Sequence, residues 1–395
     1  MTHPHAHRRL SPFREEVSDA VTPRATLLVI GVVVLQLLFI ASYVGALHKP
    51  RPRDVPFGVV APQAAARTVA RLERLPGSPL DPREVAGEAA ARRQILHRDV
   101  DGALLVDPAG TTDTLLVASG GGTVLATALE NLLTAVERTE RRTVRTVDVA
   151  PASPGDFDGL SSFYLVVGWS VGGYLCASIL AVSAGARPAN PRRAAIRLGA
   201  MALVAAVGGL GGAVIVGPVL GALPGGVLQL WGLGALVTFA VGAATLALQG
   251  IFGIVGIGLA ILLVVIAGNP SAGGAFPLPM LPPFWRAIGP ALPPGAGTWA
   301  ARSIAYFRSN ALTSSLLVLA AWAAAGVVLT LLAAALRQKR QRREREGGQG
   351  ELGQERPYEP EPTGDGAGGR PDEPAPRAAG GRPRNDTFTD PDRAG

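Results

Sequence analysis

VLQLWGLGALVTFAVGAATLALQGIFGIVGIGLAILLVVIAG, residues 227–268, holds no acidic or basic side chain, and its polar groups are Gln229, Gln249 and two threonines. About 20 apolar residues cross a bilayer as a helix, so this stretch is long enough for two crossings. The glycines between Gly250 and Gly258 leave almost nothing to join them. A tight helical hairpin is expected there.

Outward from the hairpin, the uncharged run extends from residue 198 to 285, and a second one covers residues 161–186. Runs this long and clean need a non-aqueous solvent. The whole chain agrees: of 395 residues, 48% are hydrophobic and 17% charged, against about 25% charged in soluble domains. Six segments have the length and composition to span, at 25–47, 162–184, 195–217, 227–248, 251–268 and 312–336. The fold class is therefore a polytopic α-helical membrane protein with six transmembrane helices and an α/β extracytoplasmic domain inserted between helices 1 and 2. Val44-Gly45-Ala46 would suit a signal-peptide cleavage site, but the apolar run before it is long for a signal core, which favours a retained anchor.

Orientation follows from arginine, since Lys49 and Lys339 are the only lysines. The loop GARPANPRRAAIR (185–197) and the tail that opens RQKRQRRERE at 337 are the densest basic clusters beside spans, and basic clusters stay in the cytoplasm. Both termini are then cytoplasmic, in a multi-pass protein of the cell membrane. Residues 1–24 form a cytoplasmic segment, and residues 337–395 a basic, then disordered tail, poor in apolar residues from about Gly347. The eight-proline segment 269–309 falls on the outer face. Irregular backbone at membrane depth survives only against protein or water, so it reads as a re-entrant or interfacial cap; an ordered loop between spans is the alternative reading of the same residues. Two short helices are expected, near 283–288 and 297–309, broken at Pro290, Pro293 and Pro294. Trp285, Trp299 and Tyr306 are expected at the headgroup level with Tyr164, Trp169 and Trp231.

Residues 48–160 alternate strand and helix. Strands are expected at 55–60, 102–107, 114–119 and 143–149, and helices at 62–75 and 123–138. Asp81-Pro82-Arg83-Glu84 carries the N-cap, first-turn proline and cap-box glutamate of a helix running to about His97. Gly120-Gly121-Gly122 before a helix offers backbone amides to an anion; a flexible strand-to-helix turn needs the same glycines, and no basic residue follows them. Asp99, Asp101 and Asp107 flank a strand as turn residues do.

Enzymatic signatures are lacking. Neither lysine stands in a Gly-Lys-Ser/Thr loop, and no HExxH, GxSxG or paired-cysteine motif occurs. The sole cysteine, Cys176, lies in an apolar run, so no intrachain disulfide, cofactor or cysteine metal site is expected. Basic residues sit at span ends, which argues against nucleic acid as a partner and for the lipid bilayer. Apart from Arg197 at the start of span 3, spans 2 to 5 carry no acidic or basic side chain to mark an ion path, so any cargo is lipophilic or amphipathic and the energy comes from a partner. Glycines four apart, such as Gly168 with Gly172 and Gly208 with Gly212, support a compact bundle or a dimer.

One span, an outer α/β insertion opening on VPFGVV, five further spans and an N-x-S-x-G-G-x-F-P segment before the last span together resemble the phage-infection-protein (YhgE/Pip) branch of the type-2 ABC exporter permeases. The resemblance covers residues 25–336, and GGAFPLPMLPPFWRAIGPALPPG is its most specific part. It implies a homodimer or heterodimer that exports a molecule with a separate ATPase subunit. Phe276, Pro277, Pro279, Pro282, Pro283, Trp285, Pro293 and Trp299 would shape or line the outer cap, and Arg187, Arg192 and Arg193 would lie where the ATPase couples. An envelope protein whose outer domain binds a cell-wall, lipid or phage ligand without transport is the other reading.

Overall fold

A computed structural model describes residues 23–352. The expected N-terminal segment, with His3, His5 and His7, and the tail beyond residue 352 lie outside the described residues. The described residues up to Glu344 belong to one compact unit. Its soluble part is a five-stranded mixed sheet of order β2-β1-β3-β4-β5. The strands are β1 (Val55–Val60), β2 (Leu80–Glu84), β3 (Gly102–Leu105), β4 (Thr112–Val117) and β5 (Thr143–Asp148), and only β3 and β4 pair antiparallel. Alternation along the strands divides the core in two. Phe57, Leu104 and Leu115 pack with Leu72 of α2 (Ala65–Glu73) and with Leu125, Leu129 and Leu133 of α4 (Thr123–Thr139). Ala103 and Leu116 face the other way, onto Ala91 and Ile95 of α3 (Glu88–Leu96). Within the domain Asp113, which is fully buried, pairs with Arg142 at 2.6 Å.

Residues 81–97 are not one helix. Leu80–Glu84 is an edge strand in register with β1, from Val55 opposite Leu80 to Val59 opposite Glu84, and α3 begins only after Gly87. Pairing with β1, whose Val55, Phe57, Gly58 and Val59 are buried, buries Leu80 and Pro82. That non-local gain outweighs a local capping signal, and an edge strand tolerates the N–H that proline lacks.

Among the described residues five helices are long and apolar enough to cross a membrane: α1 (Pro23–Leu47), α5 (Ser161–Ala184), α6 (Pro191–Val214, prolonged by a π-helical turn to Val219), α7 (Val227–Phe252) and α11 (Thr313–Leu352). The chain is thus a membrane-embedded helical protein with a small soluble domain. α11 runs past Gly347, from where the sequence predicts the disordered part of the tail. α7 is central and more than half buried, whereas α1 is almost wholly exposed. The expected fifth span is α8 (Val255–Ser271), shorter than the other five. The hairpin turn before it sits at Gly253, whose φ of +68° suits glycine. A Cβ on Gly256 would lie 2.4 Å from the Leu248 carbonyl, so the two helices meet backbone to backbone.

α8 also shows why α1 is retained against it. Pro270 cannot donate to the carbonyl four residues back, that of Ile266, and its ring crowds that position. Residues Leu262–Gly268 widen into a π-helical turn, and the Ser42 hydroxyl of α1 donates to the Ile266 oxygen. Beyond α8 come α9 (Pro283–Ile288) and α10 (Pro293–Tyr306). α9 has the expected bounds. α10 starts four residues early, because Pro293 and Pro294 occupy its first turn instead of breaking it. α10 is almost wholly buried, with Ala296, Ala300 and Ile304 in one core cluster with Val166, Trp169 and Val237.

Candidate functional site at the domain junction

The proline-rich segment docks onto the α/β domain. Met280 is buried in that domain's core cluster with Phe276 against it, and one such apolar side chain contributes about 1.5–3 kcal/mol. The three glycines that end β4 explain the rest. A Cβ on Gly120 would stand 2.5 Å from the Tyr306 ring, and one on Gly122, at φ +144°, would stand 2.3 Å from Pro277. These glycines therefore serve close approach between domain and cap.

Four charged side chains converge on this junction. Arg302, 3% exposed on α10, donates through Nη1 to the Gly273 oxygen at 2.6 Å and through Nη2 to the oxygens of Gly274 (2.8 Å) and Gly159 (3.2 Å). Its Nε has no protein partner. Beside it Tyr306 is buried and its hydroxyl donates to Asp156, which also caps α5 by accepting from the Ser161 N–H at 2.7 Å. Arg98 follows α3 with φ +61°, a left-handed conformation that costs a non-glycine residue about 1–2 kcal/mol. That turn aims its guanidinium across the junction, 3.3 Å from the Trp299 ring centroid and 4.7 Å from that of Phe307. It donates to the Trp299 carbonyl (2.9 Å) and the Ser303 hydroxyl (3.0 Å). Arg286 of α9 donates to the carbonyls of Arg53 (2.8 Å) and Asp54 (3.3 Å). Asp101 is the fourth. Burial pushes its carboxyl up to about 6, against the pull of Arg98, Arg286 and Arg83. Burial, with Arg302 nearby, brings Arg98 down to about 9, where it still carries its proton at neutral pH.

Arg98, Asp101, Arg286 and Arg302 line one cavity of about 410 Å³, whose other walls include Leu278, Trp299 and, from the first turns of α11, Ser314, Ser315 and Val318. Ligand cavities commonly span about 300–1,000 Å³. A second cavity of about 490 Å³ lies between α5, α6 and α7, lined by Gly168, Gly172, Gly208 and Trp169.

Of the expected cap residues, Pro277, Pro279 and Trp299 line the junction cavity. Pro282 and Pro283 start α9, Pro293 starts α10, and Trp285 is half-buried with its ring edge-on to Phe284. Tyr306 and Trp169 do not sit at a headgroup layer: both are buried, Tyr306 on Asp156 and Trp169 with its indole N–H on the Gly208 carbonyl at 3.2 Å. Tyr164 is exposed, Trp231 half-buried. Arg187, Arg192 and Arg193 stand elsewhere, around the α5–α6 loop; all are exposed, and Arg187 reaches the Ile251 carbonyl at 3.1 Å.

Neither the charged quartet nor its convergence was legible from motifs. The available signal was that Arg286 and Arg302 are the first charges after the run from 198 to 285. Among the described residues no group of three or more His, Cys, Asp or Glu is placed to hold a metal ion. No family model, curated protein or solved structure matches this chain.

Proposed function

We propose that this chain is a permease-like membrane protein that exports an amphipathic or lipidic molecule, with a separate ATPase supplying the energy and no catalytic residue of its own. The observation that carries this reading is the junction cavity, lined by both charged and apolar side chains and built from the α/β domain, the cap and the first turns of α11. In this reading α8 is a sixth crossing; its 17 residues reach about 25 Å, near the thickness of a hydrocarbon core. The α/β domain then lies outside, both termini lie inside, and the exposed Arg192 and Arg193 face the ATPase. Two copies, or a copy and a related chain, form the pathway between their bundles.

A non-transporting envelope protein is the second reading. The shared core of cap and domain favours it, since Met280 and the Tyr306–Gly120 contact make one fixed unit of the two. Gentle detergent purification of the tagged full chain, with mass spectrometry and an ATPase assay on the complex, separates the two. Export predicts a stoichiometric nucleotide-binding subunit whose hydrolysis is lost in the Arg192→Glu, Arg193→Glu double variant. A clean oligomer of this chain alone would sink export and leave the binding role.

A further inference from the structure

We infer that the junction cavity binds the phosphate headgroup of an amphiphile, held among Arg98, Arg286 and Arg302 with its apolar portion against Leu278 and Val318. This rests on the cavity being the ligand site of the function proposed above, though not on any ATPase.

Charge comes first. Three guanidiniums and a single carboxylate line the cavity; beyond its walls Asp54 stands 4.0 Å from Arg286, and Asp156 acts on Arg302. The carbonyls that Arg98, Arg286 and Arg302 bond satisfy donors but carry no negative charge. A cation withdrawn from water is costly until an opposite charge meets it. Arg302 states the need most sharply, because it is 3% exposed and its Nε is unpartnered. Asp101 is the one carboxylate in the lining against three guanidiniums, so it neutralises at most one of them.

Geometry selects the anion. The three arginines come from the turn after α3, from α9 and from α10, so they meet the cavity from separate elements. A tetrahedral phosphate offers an oxygen to each, and guanidinium forks match it well; a planar carboxylate offers two oxygens. Position selects the amphiphile. Val318 and Ser315 belong to the first turns of a helix long and apolar enough to cross a membrane, so the cavity lies at the end of such a helix, where an amphiphile's headgroup would sit.

The test uses the full chain in neutral detergent with dioctanoyl phosphatidic acid as probe, dioctanoylglycerol as its uncharged twin and inorganic phosphate as the headgroup alone. Phosphatidic acid is expected to bind and raise the melting temperature, with the glycerol twin at least about tenfold weaker. Arg98→Gln and Arg286→Gln, both half-buried and so less exposed to folding failure than Arg302, should each weaken it about tenfold, the effect of one lost charge-assisted bond. If inorganic phosphate displaces the lipid at matching affinity, the site takes soluble phosphate and the oxyanion assignment stands; if it does not, the lipid is the ligand. Equal binding of the two lipids, or unchanged affinity in both folded variants, overturns the inference. Absence of an ATPase partner would end the export reading and leave this measurement untouched.

Discussion

The two ends of the helical bundle carry arginines of opposite character. At the domain junction Arg302 is buried, Arg98 and Arg286 are half-buried, and each is held by carbonyl oxygens from a distant part of the chain. At the α5–α6 loop Arg192 and Arg193 extend into solvent, and only Arg197 is buried, on the Ala184 carbonyl at 2.7 Å. Taking a guanidinium out of water costs several kcal/mol before compensation. A chain that bears this cost repeatedly at one end, while leaving the other end's charges where topology alone accounts for them, has concentrated its specific chemistry at the junction.

The sharpest way to break this contrast is Arg302→Met. It keeps the volume but strands the carbonyls of Gly159, Gly273 and Gly274, each of which now accepts from one guanidinium. A loss of about 3–5 kcal/mol is expected in thermal unfolding of the detergent-solubilised chain. Arg193→Ala at the exposed end should stay within about 0.5 kcal/mol. Equal effects would mean that the two ends do not differ in the way their burial implies.

Smaller, and more local, is Gly120→Ala. The new methyl would overlap the Tyr306 ring at 2.5 Å, so either the ring or the whole domain must shift, at about 1–3 kcal/mol. Limited proteolysis should then cut between domain and cap faster than in the parent chain. Gly168→Ala in α5, where nothing lies within 4 Å of the new methyl, should leave both the melting temperature and the cleavage pattern unchanged.

How far each region was legible follows from the range of the forces that shape it. The α7–α8 hairpin was readable because the charge-free run and the glycines from Gly250 to Gly258 are local facts. α9 was readable to the residue because Pro283 fixes a first turn. β2 was misread, since Asp81 and Glu84 mimic a cap and only pairing with β1, about 25 residues earlier in register, shows otherwise. Tyr306 was misread for a related reason. An aromatic in a proline-rich segment beside spans suits a headgroup layer, and its true partners, Gly120 and Asp156, lie more than a hundred residues upstream. The charged quartet was hidden because Arg98 and Asp101 belong to the α/β domain and Arg286 and Arg302 to the cap. No spacing rule joins residues about 200 positions apart.

Asp101→Asn probes the same junction with the smallest change in shape. Asp101 has its carboxyl raised from 3.8 to about 6 by burial, with Arg98, Arg286 and Arg83 opposing the shift. The folded state therefore holds this proton more tightly than the unfolded chain does. The stability that protonation contributes is fully present below about pH 4 and is lost as pH rises through about 6. Water reaching the half-buried group trims the effect to about 1–2 kcal/mol. Melting temperature against pH should thus show the parent chain gaining on Asp101→Asn as pH falls from 7 to 4.5, with a constant difference above 7. Parallel curves across that window would place Asp101 in water, and the junction would then be an open seam between two regions instead of a desolvated cavity.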